Sequence, residues 1–368
     1  MPTKFTVAKN DILAGLQKVQ NVVSTRTTLP ILSNVLMQAH RNEVLLTTTD
    51  LDLAVRCSVP AKVQQEGAIT LPARKLFTII REFPASEIAC EVADGQTAVW
   101  SGGGSVYRIK GLPEEEFPAP PQVANPKKVE LEQAQLRDML RKVSYAASLD
   151  ESRAFLNGVL MVFKDEKMSV VATDGKRLAL VEKEQQFDKK SEAEFIVPIK
   201  AVSEIQHLLA GEGNVSLEFS ETHLGATIGD ARLVTKLVEG TFPNYRHVIP
   251  TDAKERISLE REQFLAAVQR AAIMVSDKFP AIRLRFSKGT LTVLAQSPEL
   301  GEAEETVGIK YKGKDIEIAF NPQYLADPLR HLDADEVIFE FTDPLSPAVI
   351  KTNEPFLYVL MPVRQPTA

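Results

Sequence analysis

Two stretches of this chain decide its fold when set side by side: Leu29–Val55, LPILSNVLMQAHRNEVLLTTTDLDLAV, and Arg153–Val181, RAFLNGVLMVFKDEKMSVVATDGKRLALV. Each reads as a strand, a turn and a second strand. A weaker third copy, PAIRLRFSKGTLTVLAQSPELGEAEETV, starts at Pro280. Asp50 aligns with Asp174 at a spacing of 124 residues, and Asp174 with Ser297 at 123. A second block, a strand followed by a proline that opens a helix, also recurs. Its copies are ITLPARKLFTIIREF from Ile69, FIVPIKAVSEIQHLL from Phe195 and IAFNPQYLADPLRHL from Ile318. The prolines, Pro72, Pro198 and Pro322, lie 126 and 124 residues apart. Proline suits a first helical turn because its missing N–H costs nothing there. Phe117-Pro118 and Phe242-Pro243 repeat at 125. Three independent landmarks agree on one period, the mark of an internally repeated architecture.

The breaks between repeats follow. Pro118–Pro126 is proline-rich and reads as a semi-rigid linker, and Pro250–Lys254 is the second break. Three domains result, 1–125, 126–252 and 253–368. Each opens with a strand and an amphipathic helix: Ile12, Leu16, Val19 and Val23 keep helical spacing, as do Leu136, Leu140, Val143 and Ala147, and Phe264, Val268, Ala271 and Val275. A second helix follows each proline, with Leu76, Phe77 and Ile80 as the apolar face of the first. Asp94-Gly95 is a hairpin turn signal, and Val337, Phe339 and Phe341 alternate as a half-buried strand does. Each repeat is thus two βαβββ-like units in an α+β fold, with two helices covering one face of antiparallel sheets. Repeats joined end to end either close into a ring or run on as a filament. Pro328 falls inside the last helix and is expected to kink or end it.

Composition narrows the function. At 368 residues and 44% hydrophobic content the chain exceeds one core. No run of about 18 apolar residues suggests a membrane span, and the start lacks a signal-peptide core. Cys57 and Cys90 sit on the apolar side of alternating runs and read as small core residues. A reducing cytoplasm fits this usage. The net charge of −6 argues against a conventional high-affinity DNA binder. The expected helices, cut at 11–22, 74–82, 133–144, 198–209, 262–275 and 322–331, are nevertheless net positive. Arg137 and Arg141 share a face opposite the apolar stripe, and Arg74 and Arg81 share another.

An enzyme finds no constellation here. There is no P-loop, no His-Glu-x-x-His and no Gly-x-Ser-x-Gly, and the five histidines are scattered. Ser101-Gly-Gly-Gly-Ser105 lies between strand-like runs with no following helix, so it reads as a hairpin rather than a phosphate cradle. Asp50 and Asp52 lie in a repeat whose third copy has Ser297, which favours a turn role over metal ligation. No catalytic residue, metal or cofactor is expected.

The repeats together resemble the bacterial β sliding clamps, the beta subunit of the DNA polymerase III holoenzyme. The residues that carry the resemblance are Thr28–Leu32, Leu71–Lys75, Phe155–Gly158, Ala172–Leu178, Phe242–Arg246 and Tyr358–Arg364, in order over the whole chain. It implies a non-catalytic processivity factor: a head-to-tail homodimer, ringed by helices, with duplex DNA threaded through the hole. Topological retention needs few phosphate contacts, which reconciles a basic lining with an acidic chain. By the resemblance Arg26 and Arg74 contact DNA and Arg137 and Lys200 line the hole; Arg141 joins them by its place on the helix. Asp150, Ala154 and Phe155 depart from relatives that carry a glutamine and tyrosines there. The resemblance also implies a partner cleft of Leu156, Thr173, Gly175, Lys176, Arg177, Leu178, Pro243, His247, Val248, Val359, Met361, Pro362, Val363 and Arg364. Its partners are the polymerase catalytic subunit, the clamp loader and other proteins with a clamp-binding motif. Aliphatic groups and an adaptable methionine suit the apolar anchors of a short peptide, with Arg177 and Arg364 meeting its polar groups. Lys75, Ile109, Ile273 and Met274 match positions at the dimer contact.

Overall fold

The alternating runs fold as strands and the apolar stripes as helices, in a computed structural model that describes residues 2–23, 29–93, 96–276 and 280–364. The first repeat runs β1 (Thr3–Ala8), α1 (Lys9–Val19), β2 (Asn34–His40), β3 (Glu43–Thr49), β4 (Leu53–Pro60) and β5 (Lys62–Gln65). It continues through β6 (Gly67–Pro72), α2 (Ala73–Glu82), β7 (Glu87–Val92), β8 (Thr97–Gly102) and β9 (Ser105–Lys110). The second comprises β10 (Lys127–Glu132), α3 (Gln133–Val143), β11 (Gly158–Lys164), β12 (Lys167–Thr173) and β13 (Arg177–Glu184). Its other half is β14 (Ala193–Pro198), α4 (Ile199–Leu208), β15 (Asn214–Phe219), β16 (His223–Ile228) and β17 (Ala231–Lys236). The third comprises β18 (Glu255–Glu260), α5 (Arg261–Ala272), β19 (Ile282–Ser287), β20 (Thr290–Ser297) and β21 (Gly301–Gly308). It ends with β22 (Ile316–Phe320), α6 (Pro322–His331), β23 (Glu336–Phe341), β24 (Ala348–Lys351) and β25 (Phe356–Leu360). Apart from the additional short strand β5 in the first repeat, strand, helix and three strands, twice per repeat, is the expected pattern.

The sheets do not respect the repeat boundaries. The chain forms two compact units, 1–137 with 200–237, and 138–199 with 238–368. In the first unit an eight-stranded sheet, β10-β15-β16-β17-β4-β3-β2-β6, joins strands of the first and second repeats, and a five-stranded sheet ends in β9. The seam is β4 against β17, with Leu53 opposite Thr235 and Cys57 opposite Ala231. In the second unit the sheet β14-β11-β12-β13-β25-β24-β23-β18 joins the second and third repeats, and a four-stranded sheet begins at β21. Its seam is β13 against β25, with Arg177 opposite Leu360. All these pairings are antiparallel, so each sheet keeps one face for the helices. The helix stripes fill that face: Ile12, Leu16 and Val19 of α1, Leu136, Leu140 and Val143 of α3, and Phe264, Val268 and Ala271 of α5 are buried. Both cysteines are buried in the core, and burial pushes the Cys57 thiol up to about 12.

Three helix expectations need correction. The first, third and fifth helices are shorter than the stripes: α1 stops at Val19, α3 at Val143 and α5 at Ala272, so Val23, Ala147 and Val275 lie beyond them. Val23 is still buried, because the chain leaving α1 stays against the core. Only Pro322 begins a helix; Pro72 and Pro198 end their strands one residue before one. Pro328 does not break α6, which is continuous from Pro322 to His331. A proline at 328 leaves the carbonyl four residues earlier without its helical donor. The buried Tyr358 hydroxyl of β25 donates to that carbonyl, Tyr324 O, at 2.8 Å.

The Asp50, Asp174 and Ser297 landmarks are one turn used three times. Asp50 Oδ1 accepts from the backbone N–H groups of Asp52 and Leu53, and Asp174 Oδ1 from those of Lys176 and Arg177. Ser297 Oγ accepts from Glu299 and Leu300. The turn reading of the aspartates is thereby explained: a side-chain oxygen replaces a backbone acceptor. The residue after the aspartate is left-handed, with φ 88° at Gly175 and 89° at Leu51. Leu51 is half exposed, so its side chain gains little packing to offset that strain. Leu51→Gly is therefore expected to stabilise the protein by about 0.5–1 kcal/mol, seen as a rise in thermal midpoint. A fall in the midpoint would contradict the strain argument.

The glycine-rich segment is a hairpin. β8 and β9 pair from Gly102 opposite Ser105, with Gly103 and Gly104 at φ 55° and 83°. Asp94-Gly95 lies outside the described residues, between the paired strands β7 and β8.

Candidate functional site

The fourteen residues expected to form a partner cleft all fall in the second unit. The seam explains how. Pairing of β13 with β25 sets Leu178 opposite Val359, and Met361 N donates to Lys176 O at 2.9 Å. The Thr173–Arg177 turn and the C-terminal run are thereby neighbours. Leu178 and Val359 are buried in a cluster with Leu160, Val171, Leu180, Ile196 and Phe242, against which Tyr245, Ile249 and Leu357 pack half-buried. Leu156 is buried as well. Val248, Met361 and Val363 are exposed apolar side chains, and Lys176, Pro243, His247 and Arg364 are exposed. Buried aliphatics beneath exposed ones make a surface able to take apolar anchors. Thr173 shapes the turn: its hydroxyl donates to Arg177 O at 2.6 Å and accepts from Gly175 N at 3.1 Å.

Arg177 is not a free cation at this surface. Its Nε donates to Asp174 at 3.0 Å, one terminal nitrogen to Asp327 at 2.5 Å and the other to Tyr145 O at 2.6 Å. The guanidinium also lies 4.5 Å from the Tyr324 ring centre. Burial pulls its pKa down, but Tyr358, Asp327 and Asp174 hold it above the usual arginine range. Its donors are spent inside the protein, whereas Arg364 is exposed. Asp327, Tyr145, Tyr324 and Tyr358 were not read from the sequence as partners of Arg177. The one sequence signal was Asp327 itself, a carboxylate beside the interior Pro328.

The basic helix faces are also partly spent. Arg26 lies outside the described residues. Arg141 binds Asp138 at 3.0 Å and pairs with Asp333. The nearly buried Lys142 binds Asp138 at 2.9 Å and Glu354 at 2.6 Å. Lys18 meets Asp230 at 2.5 Å and Arg270 meets Glu305 at 2.7 Å. Lys200 pairs with Asp50 and donates to Val22 O at 3.1 Å. Arg74, Lys75 and Arg137 are exposed and have no acid partner among the described residues. The departure at Asp150 is local: its carboxylate accepts from Ser152 and Arg153 and caps the short helix Glu151–Leu156. Those bonds, Ser152 first and Arg153 next, hold its pKa below the usual carboxylate range.

The positions expected at the dimer contact lie near two sheet edges. Ile109 is buried in β9, the last strand of its sheet, beside exposed Val106 and Tyr107. Ile273 is 73% exposed just past α5. Met274 is half-buried, and exposed Leu300 precedes the edge strand β21. Lys75 is exposed on α2. Val106 and Tyr107 were missed in the sequence, although the non-alternating run Val-Tyr-Arg-Ile signals a strand with apolar groups on both faces.

Comparison with known proteins agrees with this geometry along the chain. Residues 3–121, 130–244 and 246–364 match the family models of the DNA polymerase III beta subunit N-terminal, central and C-terminal domains. The beta sliding clamp of Chlamydia muridarum is 34% identical over 361 residues, 98% of this chain and 99% of that protein. That of Pseudomonas putida is 34% identical over 364 residues, with 98% and 99% covered. Among solved structures, the Pseudomonas aeruginosa sliding clamp bound to griselimycin superposes with a TM-score of 0.93 at 34% identity, covering 99% of this chain and all of that one. Three matched domains, relatives covered over nearly their full length and a shared fold lead to one conclusion: the chain belongs to the DNA polymerase III beta subunits, the beta sliding clamps.

Proposed function

We propose that this sliding clamp, a non-catalytic replication subunit, closes head to tail with a second copy around duplex DNA. It then tethers the polymerase catalytic subunit, the clamp loader and other motif-bearing proteins through the second-unit cleft. The observation that carries the ring is a pair of unmatched edges. Within the chain, β4 pairs with β17 and β13 with β25. β21 and β9 are the remaining copies of the same two strands, and each ends its own sheet. β21 carries exposed Glu302 and Glu304, and β9 carries exposed Arg108 and Lys110. An open edge with apolar side chains and the opposite charge of its counterpart favours pairing between copies over a free edge.

Arg137, exposed and unpaired among the described residues, is the leading candidate phosphate contact, and the exposed Arg74 is one only to the extent that ring closure leaves its donors free. Arg141 and Lys200 are held by acids and contribute less. Few contacts give weak, salt-sensitive binding that permits sliding, so retention must come from closure. The division into domains at 1–125, 126–252 and 253–368 belongs to the same reading. Two measurements test it. Sedimentation at micromolar concentration is expected to give a dimer, and a stable monomer would count against closure. Clamp loaded on nicked circular DNA is expected to leave once the circle is linearised. Retention on free-ended DNA would show binding by contact instead.

A further inference from the structure

We propose that Arg74 is a ring-closing latch that docks on the Ser297 turn of a second copy, and that the neutral serine makes this junction weaker than the two inside the chain. The inference rests on the head-to-tail reading above. Its basis is a contact that recurs at both internal junctions. The Asp50 turn leads into β4, the strand that crosses to the second repeat. That turn is gripped by Lys200, from the first turn of α4 in the second repeat. The Asp174 turn leads into β13, the strand that crosses to the third repeat. It is held by α6 of the third repeat through Arg177 of the turn, whose guanidinium lies 4.5 Å from the ring centre of Tyr324 in that helix's first turn and binds both Asp174 and Asp327. In each case the helix after a repeat's second strand block holds the turn of the repeat before it.

One turn and one helix remain. The Ser297 turn leads into the edge strand β21, and α2 has no preceding repeat in its own chain. Arg74 occupies the place of Lys200: each is the second helical residue, two after the proline that ends the strand. It is exposed, with no acid partner among the described residues. Continuing the rule places Arg74 on the Ser297 turn of another copy. There it meets a hydroxyl and turn carbonyls, where Lys200 meets a carboxylate. The junction that must part for DNA to enter is then the one without an aspartate at its turn.

The test is the dimer dissociation constant by sedimentation or mass photometry for wild type, Arg74→Ala, Ser297→Asp, Ser297→Asn and the Arg74→Ala/Ser297→Asp double variant. Asp already occupies this turn at 50 and 174, so Ser297→Asp keeps the backbone bonds; Asn keeps them without the charge. An exposed ion pair changes an equilibrium a few-fold, and a two-fold ring holds two such junctions, so Ser297→Asp is expected to tighten the dimer about tenfold. Arg74→Ala is expected to weaken it several-fold. Ser297→Asn should match wild type, and the gain from Asp should vanish in the double variant. A dimer that ignores Arg74→Ala, or a gain from Asp that survives without Arg74, overturns the latch and leaves the ring intact. A wild type that stays monomeric overturns the ring reading and the latch with it.

Discussion

Arg177→Ala is expected to lower stability by about 3–5 kcal/mol, because it leaves two carboxylates behind with too few partners. The Arg177 side chain is 10% exposed, Asp174 13% and Asp327 11%, so solvent replaces little of what the guanidinium supplies. Asp327 would keep Gln323 Nε2 at 2.5 Å and a longer contact to Arg330 at 3.6 Å. Asp174 would keep its turn amides. A fall in thermal midpoint on the order of 10 °C follows from a loss of that size. Arg177→Lys should recover only part of it, since an ammonium cannot reach Asp174, Asp327 and Tyr145 O together. Arg177→Met combined with Asp327→Asn should be less damaging than Arg177→Met alone, because the stranded charge goes too. A melting curve for Arg177→Ala within a degree of wild type would show that the network holds nothing. The same loss would loosen the turn on which Leu178 sits, so peptide affinity at the cleft is expected to fall as well.

Two tyrosines with buried hydroxyls should respond in opposite ways to losing them. Tyr358→Phe removes the donor to Tyr324 O, the carbonyl that Pro328 leaves without a helical partner. Leaving a buried acceptor unmet costs about 1–3 kcal/mol. Tyr145 differs, since its hydroxyl is buried with no hydrogen-bond partner among the described residues. Its ring stacks on His331 at 4.7 Å, and phenylalanine preserves that contact. Tyr145→Phe should be neutral or stabilising. Denaturant unfolding of the two variants checks the pair. Equal losses for both would mean that ring packing alone decides, and that the proline is accommodated by other means.

The repeat was legible because turns and strand patterns are local. The Asp50, Asp174 and Ser297 alignment depends on three or four consecutive residues and survived intact as hydrogen bonds. Helix faces were legible for the same reason: Leu136, Leu140 and Val143 need only a period of 3.6 to be found. What the sequence did not reveal was long-range. Whether Lys200 faces DNA or Asp50 depends on a residue 150 positions away. The fate of Pro328 was decided by a hydroxyl thirty positions later in the chain. Arg177 read as a surface cation because its partner Asp327 also lies 150 residues away. Periodicity places a charge on a face but does not say what else arrives there.

The seams β4–β17 and β13–β25 have a consequence for anyone wishing to take the molecule apart. The length that recurs in the sequence and the stretches of chain that share a sheet are out of step. A fragment ended near residue 125 would carry β4 with its neighbour β17 removed, exposing a long apolar ladder in the middle of a sheet. Such an edge invites pairing with other chains. Excised single repeats are therefore poor candidates for autonomous modules, because each compact unit is assembled from two separate stretches of chain, 1–137 with 200–237 and 138–199 with 238–368. The chain repeats in one unit of length and packs in another.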